Sequence, residues 1–250
     1  MKTEVLNPEL ILNAYAQGVF PMADDKEAEE VYWYAPKMRG QLSIDNLHVP
    51  RRLRKTVRQA PYEIWFNRDF EAVIQKCADV RAETWINDAI KDVFTELHHM
   101  GFAHSVEAWN GNECVGGLYG LALGGAFFGE SMFSTQTDAS KIALVHLAAH
   151  LNRQGFEILD TQFVNDHLMQ FGVYEVPQAQ YIKNLRSVIG KNVSFTPSDY
   201  SSNKASSSSS ESVSSSDAGS SALSSSSASV SFASDAGAVE LLLQSITQTS

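Results

Sequence analysis

Two short stretches carry most of the chemistry available to this chain. Gly129-Glu130-Ser131-Met132-Phe133-Ser134 sets a carboxylate beside large apolar side chains. Asp160-Thr161-Gln162-Phe163-Val164-Asn165-Asp166-His167 sets carboxylates, amides and a histidine in similar company. Such groups against a hydrophobic wall suit a site that must both orient and transfer an acyl group. No other part of the sequence combines the two. Between them, Asp138 to Asn152 carries Ile142, Val145 and Leu151 at helical spacing and stops at Gly155. This reads as a helix antiparallel to its flanking strands, which brings both halves to one pocket. Asp160 and Gln162, two apart on a strand, should share a face. Taken singly, they also fit a strand-end cap and a surface residue. Asn165 and His167 fit the start of a helix as well as a site, and His104 reads first as a core or strand histidine.

The elements that must position these groups follow from punctuation and periodicity. Asn7 and Pro8 start a helix whose apolar positions are Leu10, Ile11, Ala14 and Tyr15, and Gly18 ends it. Val19 to Met22 leads away in extended form, and residues 24–30 are an acidic loop. Val31–Tyr34 and Gln41–Ile44 read as strands around a turn at Pro36, and Pro50 opens a basic helix to Arg58. A domain boundary is expected near residue 60. Beyond it come a strand at Pro61–Phe66 and helices at Phe70–Ala78 and Asn87–Met100. Three strands joined at Asn110-Gly111 and Gly124-Gly125 follow, then the helix, a strand at Phe156–Asp160, a helical turn at His167–Phe171 and a closing segment at Tyr181–Val188. This order resembles that of the N-acetyltransferase (GNAT) superfamily, a likeness of fold alone. The fold class is therefore α+β. A small N-terminal α/β domain with the basic helix (residues 1–60) precedes a GNAT-like domain (61–195) and a disordered serine-rich tail (196–250). Serine dominates residues 201–236, which cannot bury enough apolar surface to offset ordering entropy. Val239 to Leu243 reads as a frayed end more than as a docking helix.

Composition narrows the class. The chain has 250 residues, 44% hydrophobic, with a formal charge of −10 from 19 basic and 29 acidic residues. General adhesion to nucleic acid or anionic membrane is not expected, so any such contact needs a local patch. Cys77 and Cys114 lie in no metal-binding spacing and read as reduced thiols of a cytoplasmic protein. There is no apolar signal core or membrane-length run, and neither a metal nor a cofactor is expected.

The quoted blocks, together with Gly18-Val19-Phe20-Pro21, Glu83-Thr84-Trp85-Ile86, His104-Ser105-Val106-Glu107, Val115-Gly116-Gly117-Leu118-Tyr119-Gly120 and Ala139-Ser140-Lys141, resemble the leucyl/phenylalanyl-tRNA–protein transferase family. The likeness runs from about Leu12 to about Tyr181; Met22 replaces a usual aromatic, and the serine-rich tail has no counterpart. The resemblance implies transfer of Leu, Phe or Met from aminoacyl-tRNA to the α-amine of proteins beginning with Arg or Lys, marking them for N-end rule degradation. It gives Gln162 the catalytic position, and Asp160 and Glu130 beside it are read as further catalytic candidates. Gln162 is a poor base and more naturally orients the amine or ester. Asp160 would fix the Gln162 amide or take charge from the amine, and Glu130 would position an amine. Leu118, Phe127, Met132, Leu144, Leu147 and Leu159 take the pocket positions, with Trp85 as a stacking surface for the terminal adenine; each also fits an ordinary core. Lys37, Arg39, Arg51, Arg52, Arg54, Lys55 and Arg58 concentrate charge against the single acid Asp45. Arg51, Arg54, Lys55 and Arg58 share a helical face that suits tRNA phosphates, and Arg52 joins them. Two alternatives remain: an acyl-CoA N-acyltransferase, which lacks its phosphate-cradling glycine turn at residues 133–139, and a non-catalytic tRNA-binding module.

Overall fold

Asn7 and Pro8 start the first helix as their types require. The Asn7 side chain accepts the Leu10 N–H at 2.9 Å and Pro8 opens α1 (Pro8–Ala16), where an N–H would have no partner inside the helix. The computed structural model describes residues 6–80, 83–197 and 230–248. After α1, β1 (Phe20–Ala23) and β2 (Val31–Tyr34) pair as a small antiparallel sheet. Next come β3 (Met38–Leu42), α2 (Arg51–Gln59), β4 (Glu63–Phe66), α3 (Phe70–Asp79) and α4 (Asp88–His99). The strands β5 (Ala103–Asn110), β6 (Glu113–Leu123) and β7 (Ala126–Ser134) form a meander. Then follow α5 (Ala139–Gln154), β8 (Ile158–Gln162), α6 (Asp166–Met169), β9 (Tyr174–Pro177), α7 (Gln178–Val188), β10 (Phe232–Ala233) and α8 (Ala236–Gln248).

The large sheet has eight strands in the order β10-β4-β5-β6-β7-β8-β3-β9. Its pairs are antiparallel except β7 and β8, which run parallel with α5 as their crossover. Only Ala126↔Ile158, Phe127↔Leu159 and Phe128↔Asp160 pair these two strands. Past that point they part, and the two chemical segments lie on the separated ends. One core, on the α2, α5 and α8 side of the sheet, gathers Leu53, Val57, Leu144, Leu147 and Leu243; the other, on the α1, α3, α4 and α7 side, gathers Ile11, Phe70, Phe94 and Leu185. Burying apolar stripes on both faces is what fixes the register of such a sheet.

Three expectations change. The strands around Pro36 form, but in different sheets: β2 pairs with β1, and β3 lies between β8 and β9. Residue 60 marks no break in the sheet, since β3 before it and β4 after it are both members. The disorder expected from residue 201 lies mostly outside the described residues, but the frayed end is corrected. There, Val239, Leu242, Leu243 and Ile246 are buried in the core and fall on one face of α8. The segment is further tied by β10 on the edge of β4, by an Arg153–Asp235 ion pair, and by His146 Nδ1 with Ser234 Oγ at 2.6 Å. Serine-rich composition hides a four-residue apolar stripe that is enough to dock a helix.

Candidate active site

Where β7 and β8 separate, a cavity of about 590 Å³ opens. Its apolar wall includes Leu118, Met132, Leu144, Leu147 and Leu159, and its polar wall includes Glu130, Gln162, Asn165 and His167. Five of the seven expected pocket residues thus line it. Phe127 and Trp85 do not. Phe127 is fully buried against Phe195, at 5.5 Å between ring centroids. Trp85 is half-buried against the second core, and its carbonyl accepts from Ala23 N at 3.3 Å.

Glu130 and Gln162 face each other across the gap, and Gln162 Nε2 donates to Glu130 Oε1 at 2.9 Å. Burial, and then the charge of Asp160, pushes the Glu130 carboxyl up to about 8, against the opposing effects of Tyr15, Arg39 and Gln162. Tyr15 of α1 and Tyr119 of β6 are buried beside it, and burial followed by the Glu130 charge raises both phenols. A carboxyl that gains its charge near neutrality, in contact with an orienting amide, can exchange a proton with an amine.

Asp160 does something other than face this cavity. It is wholly buried on the far side of β8, where Arg39 Nε contacts its two oxygens at 3.0 and 2.9 Å and the Tyr181 hydroxyl donates to Oδ2. Its Oδ1 also accepts the backbone N–H of Gln162 at 2.7 Å. The shared strand face is therefore corrected: Gln162 lies at φ 56, in the left-handed region, and this turns its side chain out of the strand alternation and into the cavity. For a non-glycine residue that backbone costs about 1–2 kcal/mol. Asp160 has no route to take charge from an amine in the cavity, because its oxygens are already held.

Arg39 was grouped by sequence with the phosphate-binding cations, yet it is 1% exposed and cannot serve there. Its guanidinium lies over the rings of Phe20 and Tyr181, at 4.4 and 4.9 Å from their centroids. Sequence reasoning also missed Tyr15, Tyr119 and Tyr181 as neighbours of the site. The only local signal for Arg39 is a lone cation on a strand directly before Gly40. A Cβ at Gly40 would meet Thr161 Oγ1 at 2.8 Å and Phe163 C at 2.9 Å, so strand β3 must be bare where it crosses the Gln162 turn.

The remaining candidates separate cleanly. Asn165 caps α6, its side chain accepting from Leu168 N at 2.9 Å. His104 stacks on Phe195 at 4.1 Å, and burial drives it down to about 3, as a core histidine. On α2, Leu53 and Val57 are buried while Arg51, Arg52, Lys55 and Arg58 are exposed and Arg54 is half-buried. Arg58 is paired with Glu240 of α8 at 3.2 Å. The N-terminus of α5 offers no anion cradle: Ser134 Oγ takes the Ser140 N–H at 3.3 Å, and Asp138 stands there in an ion pair with Lys141 at 3.0 Å. A pyrophosphate would meet a carboxylate, which counts against the acyl-CoA reading. Among the described residues no cluster of His, Cys, Asp and Glu is placed to hold a metal ion, and no helix is long and apolar enough to cross a membrane.

Comparison with known proteins gives a consistent picture. Residues 41–186 match the family model described as leucyl/phenylalanyl-tRNA protein transferase, and residues 4–37 match that of its N-terminal domain. The chain is 50% identical over 193 residues to a leucyl/phenylalanyl-tRNA–protein transferase of Paramagnetospirillum magneticum, covering 76% of this chain and 92% of the relative. A protein of the same name from Caulobacter vibrioides is also 50% identical over 193 residues, covering 76% of this chain and 87% of that relative.

Proposed function

The chain belongs to the leucyl/phenylalanyl-tRNA protein transferase family, and we propose that its cavity holds the Leu, Phe or Met side chain of an aminoacyl-tRNA while Glu130 and Gln162 present the α-amine of a protein beginning with Arg or Lys. The enzyme is an aminoacyltransferase that moves an aminoacyl group from tRNA to a protein N-terminus. The observation that carries the site assignment is the Glu130–Gln162 hydrogen bond at the polar wall of a Leu- and Met-lined cavity. Such lining adapts to both aliphatic and aromatic guests.

The chemistry needs little from the protein beyond placement. An α-ammonium has an ordinary pKa of about 8, and Glu130, raised to about 8, is matched to accept its proton. The amine nitrogen then attacks the ester carbonyl, and a tetrahedral oxyanion forms. As the C–O bond to the ribose breaks, the second amine proton travels through the neighbouring 2′-hydroxyl to the leaving ribose oxygen. The products are a peptide bond and deacylated tRNA. Gln162 orients the amine and the ester through its amide, and its tie to Glu130 keeps base and orienter in register.

The exposed cations of α2 supply the phosphate contact that an acidic chain otherwise lacks. The parting of β7 and β8, with a register shift in β6–β7 at Tyr119/Gly120, supports a GNAT-like arrangement of the large sheet, which β3 from before residue 60 also joins. In the cytoplasm, where aminoacyl-tRNA is made, the product would be a protein marked for N-end rule degradation. The test is transfer of radiolabelled Leu, Phe, Met and Val from their tRNAs onto one protein begun with Arg and again with Gly. Transfer of the first three to the Arg form alone is expected. Equal transfer to the Gly form, or transfer of Val, which lies outside the proposed donors, would overturn the substrate assignment.

A further inference from the structure

We propose that Arg39 is a positioning residue for aminoacyl transfer, holding Gln162 in its left-handed conformation through Asp160. The inference rests on the assignment of Gln162 to the reaction, and it goes beyond that assignment by naming what sets its geometry. Four contacts form one chain from the N-terminal segment to the cavity. Gly18 O lies 3.4 Å from Arg39 Nη1; Arg39 Nε meets both Asp160 oxygens; Asp160 Oδ1 accepts Gln162 N at 2.7 Å; Gln162 Nε2 reaches Glu130 at 2.9 Å.

Each link has a physical reason to be rigid. The Arg39 and Asp160 side chains are 1% and 0% exposed, so neither has water as a substitute partner. The guanidinium packs over the rings of both Phe20 and Tyr181, which restrains it. Tyr181 donates to the Asp160 oxygen that Gln162 does not use, which leaves Oδ1 directed at the Gln162 N–H. On the other side of the turn, β3 runs past with Gly40 opposite Gln162 and a register shift at Gly40/Gln41. Arg39 and Gly40 together thus hold the end of β8 in a backbone state that glutamine alone would leave. Lysine cannot replace this geometry, because a point ammonium lacks the planar guanidinium that packs over both rings and meets both oxygens.

The test is a double-mutant cycle read in steady-state Phe transfer, with Arg39→Lys, Gln162→Ala and the combined variant. Lysine keeps a cation beside Asp160, and melting temperature confirms that each variant is folded. Arg39→Lys is expected to lower kcat about tenfold while KM for Phe-tRNA stays within about twofold. In the Gln162→Ala background it is expected to have no further effect on kcat, since the group through which it acts is gone. Tyr181→Phe, which removes only the hydroxyl, is expected to lower kcat about two- to threefold and to be silent in the same background; it decides the matter if Arg39→Lys does not fold. Additive losses in the combined variants, or a change confined to KM, would overturn the proposal and leave Arg39 as a general support of the fold. If Gln162→Ala alone turns over normally, it is the assignment of Gln162 to the reaction that fails.

Discussion

Two of the arginine–carboxylate pairs that join distant parts of the chain do opposite work. Arg39–Asp160 links β3 to β8 with both side chains buried, whereas Arg58–Glu240 links α2 to α8 with 48% and 44% of the side chains exposed. In the first, water is excluded and each oxygen has an assigned donor, so the pair fixes geometry that Gln162 depends on. In the second, solvent can replace either partner, and docking comes from the apolar face beneath it. Chemical identity alone does not say which role a pair has. Burial does.

The largest effect should come from breaking the buried pair. Asp160→Ala leaves the Arg39 charge without a partner and releases the Gln162 N–H. A loss of about 3–5 kcal/mol in stability is expected, together with at least about a tenfold fall in Phe transfer. Denaturant melts and transfer rates on the same preparation check both, and a stable, active variant would erase the distinction between the pairs.

On the exposed side, the cations themselves matter for tRNA. Arg51, Arg54 and Arg58 replaced together by Ala should weaken aminoacyl-tRNA binding and reduce the slope of log K against log salt by about 2–3. A slope equal to that of the wild type would place the tRNA on another surface. Beneath Glu240, Leu243→Ala removes a fully buried side chain of α8 and should lower stability by about 2–4 kcal/mol. Leu241→Ala, on a residue 69% exposed, should leave the melting temperature nearly unchanged. Equal effects would mean that α8 does not dock as described.

A pH-dependent effect, spread over several pH units, belongs to Glu130. Its neighbours are Tyr15, Tyr119 and Gln162, with Asp160 and Arg39 behind, and its folded carboxyl titrates near 8 against an ordinary 4.5. Between those values the folded chain holds a proton that the unfolded chain releases, so this group lowers stability as pH rises from about 4.5 to about 8 and adds no further change above. Glu130→Gln should remove that slope. Melting curves across the range compare the two, and parallel curves would show that the carboxyl is not raised. Least of all should follow from Glu240→Gln, for which melting is expected to be almost unaltered.

How much of this was legible in the sequence depends on distance along the chain. The crossover from β7 through α5 to β8 was readable because it uses local periodicity and consecutive elements, while the five cavity residues came from the family resemblance. The Arg39–Asp160 pair was not readable. It joins positions that only the placement of β3 beside β8 brings together, and Arg39 sits among cations that do face solvent. Gln162 looked like an ordinary strand position because a left-handed φ leaves no mark in residue type unless glycine supplies it. The docked α8 was obscured by its surroundings, although Val239, Leu242, Leu243 and Ile246 carry the helical spacing in plain form.

The central claim is that Gln162, at the polar wall of the cavity, orients the reacting groups. The most direct test compares wild type and Gln162→Ala in transfer of radiolabelled Phe from Phe-tRNA to an Arg-initiated protein at saturating donor, with donor affinity measured separately. The account predicts a fall in kcat of at least about tenfold, about 1.4 kcal/mol of barrier, with donor affinity little changed. Wild-type turnover in the variant, or a loss confined to donor affinity, would contradict it.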